Sequence, residues 1–148
     1  MDGTTLDREC RHARFIDASP DRVFRAFAAP DRLARWWGPD GFSSTFDLFE
    51  FRPGGRWQFV MHGPDGADYS NRSIFREVVP GERIVIEHLG DVHHFVLTIT
   101  LESHDRGTRV GWRQVFDTAE HRDAVAPFVT TANEQNLDRL AAEVLQAS

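Results

Sequence analysis

The stretch Phe95-Val96-Leu97-Thr98-Ile99-Thr100-Leu101 places a large apolar residue at every second position. Because successive side chains of a β-strand point to opposite faces, this period predicts a strand with one buried face. Arg106-Gly107 follows as a turn, and residues 110–116 repeat the period with Val, Trp, Gln and Phe on one face. The two segments therefore predict an antiparallel hairpin.

More segments upstream of this hairpin have a similar period, and turn sequences rich in Gly and Pro separate them. The segments cover residues 46–51, 57–61, 69–79 and 84–88. The turns are Arg52-Pro53-Gly54-Gly55, Gly63-Pro64-Asp65-Gly66 and Pro80-Gly81-Glu82-Arg83. Strands joined by tight turns pair with their neighbours, so the sequence predicts a six-stranded, curved antiparallel sheet.

Two short helices are predicted after a first strand over residues 12–18. Ser19 is a typical N-cap residue, and Pro20 suits the first position of a helix. A second short helix begins at Pro30-Asp31 and ends at Gly38-Pro39, because Gly and Pro there interrupt the helical pattern.

A long C-terminal helix is predicted from an apolar stripe. Residues 137, 140, 141 and 144 recur at helical spacing and are all apolar. Extended backwards, the stripe reaches the polar residues Asn133 and Thr130, and polar groups at a buried position indicate a cavity at that end. Pro127 marks either the first turn of the helix or a kink. The fold class is therefore α+β, with the sheet wrapped around this helix.

Length and composition are those of one globular domain. We expect residues 1–11 to form a polar leader and residues 12–148 to form the domain. The net charge of −6 argues against nucleic acid or an anionic membrane as a partner, and no apolar run is long enough to span a bilayer.

The numbers of cysteine and lysine residues restrict the cellular compartment and the possible catalytic mechanisms. The single Cys10 cannot form an internal disulfide, and the leader contains no apolar core of a signal peptide, so we expect a cytoplasmic protein. All 17 basic residues are Arg, which excludes a lysine nucleophile or Schiff base. No motif for a nucleotide or another cofactor is present, so no cofactor is expected.

Aromatic residues are the strongest functional signal, with 12 Phe and 4 Trp. They either fill a core or line a pocket, and a curved sheet standing away from a helix favours a partly filled space. The residues predicted to bind a ligand there are Trp37, Trp57, Phe59, Tyr69, Phe75, His88, Trp112, Phe116, Phe128, Thr130 and Asn133.

His88 and Tyr69 are the candidates for chemistry if the protein is an enzyme. His88 shares the predicted inner face with Ile84 and Ile86, where it could orient a ligand, act as a general base, or simply be a core histidine bonded to the backbone. Tyr69 could donate a hydroxyl to a ligand or only pack.

A metal site is not expected from the histidines near the turn at Gly90-Asp91. His93 and His94 are adjacent on a strand and point to opposite faces, so only His88, one of the pair, and His62 or Asp91 could converge. Cavity-lining or surface histidines are the simpler interpretation.

Several of these motifs together resemble a known family. The order of elements resembles the START-like, or helix-grip, superfamily. Within it, five motifs are similar to those of bacterial proteins related to the activator of the heat-shock-protein-90 ATPase. The motifs are Trp36-Trp37-Gly38-Pro39, residues 52–57, Asp65-Gly66, residues 79–84 and residues 137–140. The resemblance covers residues 12–146 and implies the helix-grip fold.

The resemblance leaves the function open. Many relatives have a Gly-Trp pair where this chain has Ala132 and Asn133, and the loss of a Trp there would enlarge the cavity and make it more polar. The leading hypothesis is a protein that binds a small hydrophobic or aromatic molecule, and this is preferred over an enzyme. The alternatives are a cyclase- or hydrolase-like enzyme using His88, and a protein-binding adaptor like a co-chaperone. A homodimer is possible.

Overall fold

A computed structural model describes residues 7–90 and 93–146. Within these ranges the chain forms seven strands and three helices. The strands are β1 (Glu9–Ile16), β2 (Ser43–Phe49), β3 (Arg56–His62), β4 (Asp68–Val79), β5 (Arg83–Leu89), β6 (Phe95–His104) and β7 (Gly107–Phe116). The helices are α1 (Pro20–Ala28), α2 (Pro30–Trp36) and α3 (Ala119–Gln146).

All seven strands form one antiparallel sheet in the order β1-β7-β6-β5-β4-β3-β2. The prediction of six strands was wrong because the first strand joins the same sheet. Its residues 9–16 pair with β7 from Glu9↔Val115 to Ile16↔Thr108. The strand therefore begins at Glu9, inside the segment predicted to be a polar leader.

Two irregularities in the strand registers accompany the curvature of the sheet. The pairing of β2 with β3 shifts between Phe46 and Leu48, and that of β4 with β5 shifts between Phe75 and Glu77. An extra residue in one strand bends it and increases its local twist. This bending lets the sheet wrap around a helix, so the predicted α+β architecture with a curved antiparallel sheet and a C-terminal helix is confirmed.

The short helices begin as the sequence predicts. The Ser19 side chain accepts a hydrogen bond from the Arg22 backbone N–H at 3.3 Å, and Pro20 occupies the first turn of α1. Pro30 likewise begins α2, which ends before Gly38, whose φ of 105° is one that residues other than glycine rarely adopt.

The long helix α3 begins earlier than predicted. The Thr118 hydroxyl accepts a hydrogen bond from the His121 backbone N–H at 3.0 Å, so it satisfies one of the free donors at the helix start. Pro127 consequently lies inside the helix, which excludes the first of its two predicted positions, the first turn. None of the three helices, as far as the chain is described, is long and apolar enough to cross a membrane.

One end of the space between α3 and the sheet is filled, and we call it the filled end. Here α1 and α2 pack against the C-terminal half of α3, and Trp36, Leu137, Leu140 and Val144 are at most 1% exposed. The Trp36 indole N–H donates to the Ala26 carbonyl at 2.9 Å, so this large side chain is buried with its polar atom satisfied.

Candidate functional site

A cavity of about 400 Å³ occupies the other end of the space between the sheet and α3. The N-terminal half of α3 forms its roof, and the inner faces of β3 to β7 form its floor. Neither α1 nor α2 reaches this end, because the only residues that they and the following loop contribute to the wall are Trp37, Gly38 and Pro39. The cavity thus begins where the two short helices stop.

The side chains of α3 that face the cavity are too small to fill the space between roof and floor. Ala124 and Ala132 line the cavity, together with Val125 and Val129. Because α3 is held at its other end by the filled end, and at its start by Arg122, which donates to the Glu9 carbonyl of β1 at 3.2 Å, it cannot move inward to close this gap.

The floor of the cavity is aromatic and aliphatic. Phe59, Ile86, Leu97 and Trp112 are all at most 3% exposed and point from their strands towards the helix. Trp37 closes the inner end, where its ring lies 5.9 Å from that of Trp112. Such walls favour an apolar or aromatic occupant.

An amide pair crosses the cavity wall from helix to sheet. The Asn133 side-chain Nδ2 of α3 donates to the Gln114 Oε1 of β7 at 3.0 Å. Both side chains are buried, at 8% and 7% exposure respectively. Among the described residues neither makes a further side-chain hydrogen bond, so one donor nitrogen and one acceptor oxygen of the pair stay unmatched by protein groups.

His88 and Ser73 form a second polar position on the floor. They are directly paired neighbours on β5 and β4. Ser73 is 4% exposed, and the His88 ring stacks on Phe95 with centroids 4.7 Å apart. Within the described part of the chain, neither side chain has a hydrogen-bond partner.

The environment of His88 keeps its ring uncharged. Burial, and to a smaller degree the neighbouring His93 and His94, lowers the pKa of His88 to about 4. The ring is therefore neutral at physiological pH and offers one hydrogen-bond donor and one acceptor.

The mouth of the cavity lies beside the start of α3. The His93 Nδ1 and His121 Nε2 atoms are 3.0 Å apart, and the His121 ring meets Phe116 edge-on with centroids 5.0 Å apart. Phe128 lines the mouth while 66% exposed, so it is the large side chain there that is most free to move.

The inner end of the cavity is fixed by Asn136. Its Oδ1 accepts a hydrogen bond from the Gly38 backbone N–H at 3.2 Å. Arg139 donates to the Gly38 and Pro39 carbonyls at 2.8 and 2.9 Å. These contacts attach the loop after α2 to α3 and hold that wall in place.

Most of the residues predicted to bind a ligand lie on the cavity wall. They are Trp37, Phe59, His88, Trp112, Phe116, Phe128 and Asn133. The other four, Trp57, Tyr69, Phe75 and Thr130, lie elsewhere, and each has a physical reason for its position.

Trp57 and Phe75 belong to the core behind the cavity. Trp57 stacks between Phe59 and Phe75, with ring centroids 4.3 and 5.7 Å away, and both Trp57 and Phe75 are 1% exposed. Trp37 covers Trp57 from the cavity side at 5.0 Å.

Tyr69 and Thr130 face outwards. Tyr69 is 47% exposed beside the Phe42 ring. Thr130 is exposed because α3 turns the positions 125, 128, 129 and 132 towards the cavity. The backward extension of the apolar stripe therefore predicted the helix phase correctly at Asn133 but not at Thr130.

Five polar wall residues were not among the predicted set: Asn71, Ser73, His93, Gln114 and Asn136. The alternation along β7 already placed Gln114 on the same face as Trp112 and Phe116. Ser73 precedes the bulge in β4 and shares the face of Phe75, two residues later, so the alternation along this strand also indicated its inward position. Asn136 ends a polar stretch of α3, residues 133–136, whose sequence is typical of an exposed helix face.

The remaining histidines form separate contacts. His94 lies between Glu87 and Asp117, with nitrogen–oxygen distances of 2.7 Å to each, and these hydrogen bonds raise its pKa. His62 contacts Thr45 and Asp68. Asp91 lies outside the described residues. Over 7–90 and 93–146, no three His, Cys, Asp or Glu side chains come together as metal ligands.

A family model described as "Activator of Hsp90 ATPase homolog 1-like protein" matches residues 17–144. The chain belongs to this family. The match confirms the resemblance inferred from the sequence motifs, and the family is consistent with the START-like superfamily. A comparison with functionally curated proteins finds no match to this member of the family.

Solved structures of bacterial proteins share the fold of this Hsp90-activator-like chain. A protein from Chromobacterium violaceum is 31% identical, with a TM-score of 0.81, over 90% of this chain and 95% of that one. A protein from Nitrosomonas europaea is 20% identical, with a TM-score of 0.87, over 100% and 99% of the two chains. An AHSA1 protein from Silicibacter pomeroyi is 19% identical, with a TM-score of 0.77, over 95% and 99%.

Proposed function

We propose that this family member binds a small apolar or aromatic molecule in the cavity between α3 and the sheet. The observation that carries the proposal is the cavity itself: about 400 Å³, walled mainly by aromatic and aliphatic side chains that are anchored in the core. Small-molecule sites are typically apolar pockets of roughly 300–1,000 Å³ with a few polar groups, and this cavity has both properties.

The volume indicates the size of the occupant. An apolar protein cavity of about 150 Å³ is enough to hold benzene. The cavity of about 400 Å³ therefore has room for a molecule of two or three fused rings.

Binding is favoured over catalysis by the state of the two residues considered for chemistry. A general base works best when its pKa is near the operating pH, and the pKa of His88 is lowered to about 4. Tyr69, the other candidate, is exposed outside the cavity. His88 is better suited to orient a bound molecule than to transfer a proton.

The proposal is tested by blocking the cavity. Isothermal titration calorimetry with 2-naphthol should detect binding to the unmodified protein. Ala132→Phe places a ring into the roof and should weaken binding by at least about 10-fold, because the ligand and the new side chain compete for one space. Ala142→Phe makes the same change at an exposed position of α3 and serves as the control.

Two results would contradict the proposal. One is equal binding to both variants, which would place the ligand elsewhere. The other is the absence of binding by 2-naphthol together with native mass spectra that show no co-purifying small molecule.

A further inference from the structure

The polar groups on the cavity wall restrict the chemistry of a ligand, and this inference rests on the proposed binding function. The wall contains no Arg, Asp or Glu among the residues that the structure describes. Its polar groups are amides, one hydroxyl, imidazoles and the indole N–H groups of Trp37 and Trp112. A charged ligand group would therefore be moved out of water without a counter-ion, which is far more costly than moving an uncharged one.

The Trp112 indole N–H is a buried donor on this wall without a partner in the described part of the chain. Besides it, unmatched hydrogen-bonding groups of paired side chains lie at two separate positions. The first is the Ser73–His88 pair, whose side chains have no hydrogen-bond partner in the described part of the chain. The second is the Gln114–Asn133 amide pair, which keeps one donor and one acceptor unmatched by the protein. Buried polar groups are normally hydrogen-bonded, so each position is built to meet a polar atom of something else.

The sheet sets the spacing of these two positions. His88 lies on β5 and Gln114 on β7, with β6 between them. Neighbouring strands lie about 4.8 Å apart, and His88 pairs with Phe95 whereas Gln114 pairs with Leu97, two residues further along β6. The backbones of the two positions are therefore separated by about 10 Å across the strands and about 7 Å along them, or about 12 Å in all. Between them lie Leu97 and Phe95 of β6, which are apolar.

We propose that the ligand is an uncharged, flat, apolar molecule with a hydroxyl or carbonyl group at each of its two ends. One end meets Ser73 and His88, the other end meets Gln114 and Asn133, and the apolar body lies over Leu97 beneath Ala132. The neutral state of His88, whose lowered pKa results mainly from burial, is consistent with an uncharged partner.

The test compares four probes of the same ring system by isothermal titration calorimetry: naphthalene, 2-naphthol, 2,6-dihydroxynaphthalene and naphthalene-2-carboxylate. The dihydroxy compound should bind most tightly. Each hydroxyl that meets a buried polar position should improve affinity by about 5- to 10-fold, since one such hydrogen bond contributes about 1 kcal/mol. The carboxylate should bind at least about 100-fold more weakly than 2-naphthol, because its charge would be desolvated without a counter-ion.

Variants assign the two ends. Ser73→Ala takes the hydroxyl from one position and leaves His88 in place, and the double variant Gln114→Met, Asn133→Leu removes the other position while keeping similar side-chain volumes. Each should reduce the advantage of the second hydroxyl. Gln135→Met changes the same residue type on α3 outside the cavity wall and should leave the order of the four probes intact. Ser73→Ala removes no protein hydrogen bond, so it remains informative if the double variant does not fold.

The outcomes separate this inference from the proposed function. Naphthalene or the carboxylate binding as tightly as the dihydroxy compound would overturn the ligand class and leave the binding function standing. An unchanged order of probes in both cavity variants would overturn the assignment of the two polar ends. Failure of all four probes to bind would overturn this inference, and together with native mass spectra that show no co-purifying small molecule it would overturn the binding function as well.

Discussion

The filled end and the cavity lie between the same sheet and the same helix, yet their walls differ in kind. At the filled end, α3 presents Leu137, Leu140 and Val144, and the side chains of α1 and α2 occupy the intervening space. At the cavity, α3 presents Ala132 and Asn133, and no short helix lies between roof and floor.

The difference shows how one helix can stabilise the fold and still border a binding site. Apolar burial at the filled end holds α3 at a fixed distance from the sheet, which is the distance that its larger side chains require. The small side chains further up the helix then cannot reach the floor, and Asn133 contacts it through the Gln114 side chain. The cavity follows from the packing of the other end.

Truncation of a buried side chain should give the largest difference in stability between the filled end and the cavity. Leu137→Ala at the filled end should lower the free energy of unfolding by about 2–5 kcal/mol, because it removes buried contacts and leaves a new cavity. Val129→Ala on the cavity wall should cost less than about 1 kcal/mol, since it only enlarges a space already present. Urea denaturation of both variants measures the two values, and equal losses would show that the cavity wall is packed like a core.

The ion pairs of α3 should show the same contrast on a smaller scale. Glu143 is largely buried and accepts hydrogen bonds from Arg32 and Arg35 at 3.0–3.1 Å, which attach α2 to α3. Glu143→Gln should cost about 1–3 kcal/mol, the usual range for hydrogen bonds to a charged group. Asp138 pairs with Arg14 on the surface, so Asp138→Asn should stay within about 0.5 kcal/mol.

The same denaturation measurements decide that prediction. If Asp138→Asn proved as costly as Glu143→Gln, the attachment of α3 to β1 would matter as much as its attachment to α2, and the filled end would not be the main anchor.

The smallest expected effect concerns the pH dependence of stability. His88 has its pKa lowered from an ordinary value of 6.5 to about 4, mainly by burial and then by His93 and His94. Between these values the unfolded chain binds a proton at His88 and the folded chain does not, so His88 lowers stability as the pH falls from 6.5 to 4.

His88→Phe should therefore reduce the loss of stability over this pH range while keeping a ring stacked on Phe95. The raised pKa of His94 acts in the opposite direction, because the folded chain holds that proton more tightly, and it is unchanged in the variant. Urea denaturation at pH 4.5 and 7 compares the two proteins. An identical pH dependence would show that His88 is not buried in solution.

Much of the fold follows from local patterns in the sequence. The period of β7 placed Trp112 on the inner face, and the cap at Ser19 placed the start of α1. The sequence did not reveal that β1 begins at Glu9. Glu9 is 5% exposed because Arg113 contacts it from β7 at 2.6 Å, and a partner about a hundred residues away leaves no local signal.

The cavity wall could be predicted only where strand and helix phases are regular. Asn133 was found because it continues the stripe of Leu137 and Leu140. Thr130 was misplaced because the cavity-facing positions 125, 128, 129 and 132 lie on a different face of α3 from the apolar stripe of 137, 140 and 144. Whether an aromatic residue lines a cavity or lies behind it depends on its neighbours, as Trp57 and Phe59 show on one strand.

The most direct test of the comparison uses the tryptophan indole N–H signals in a two-dimensional ¹H–¹⁵N spectrum. Trp112 and Trp37 line the cavity, whereas Trp36 is enclosed in the filled end with its N–H bonded to Ala26. During titration with 2-naphthol, the signals of Trp112 and Trp37 should shift progressively while that of Trp36 stays nearly constant. Shifts of equal size at all three, or a shift at Trp36 alone, would contradict the assignment of the cavity as the binding site.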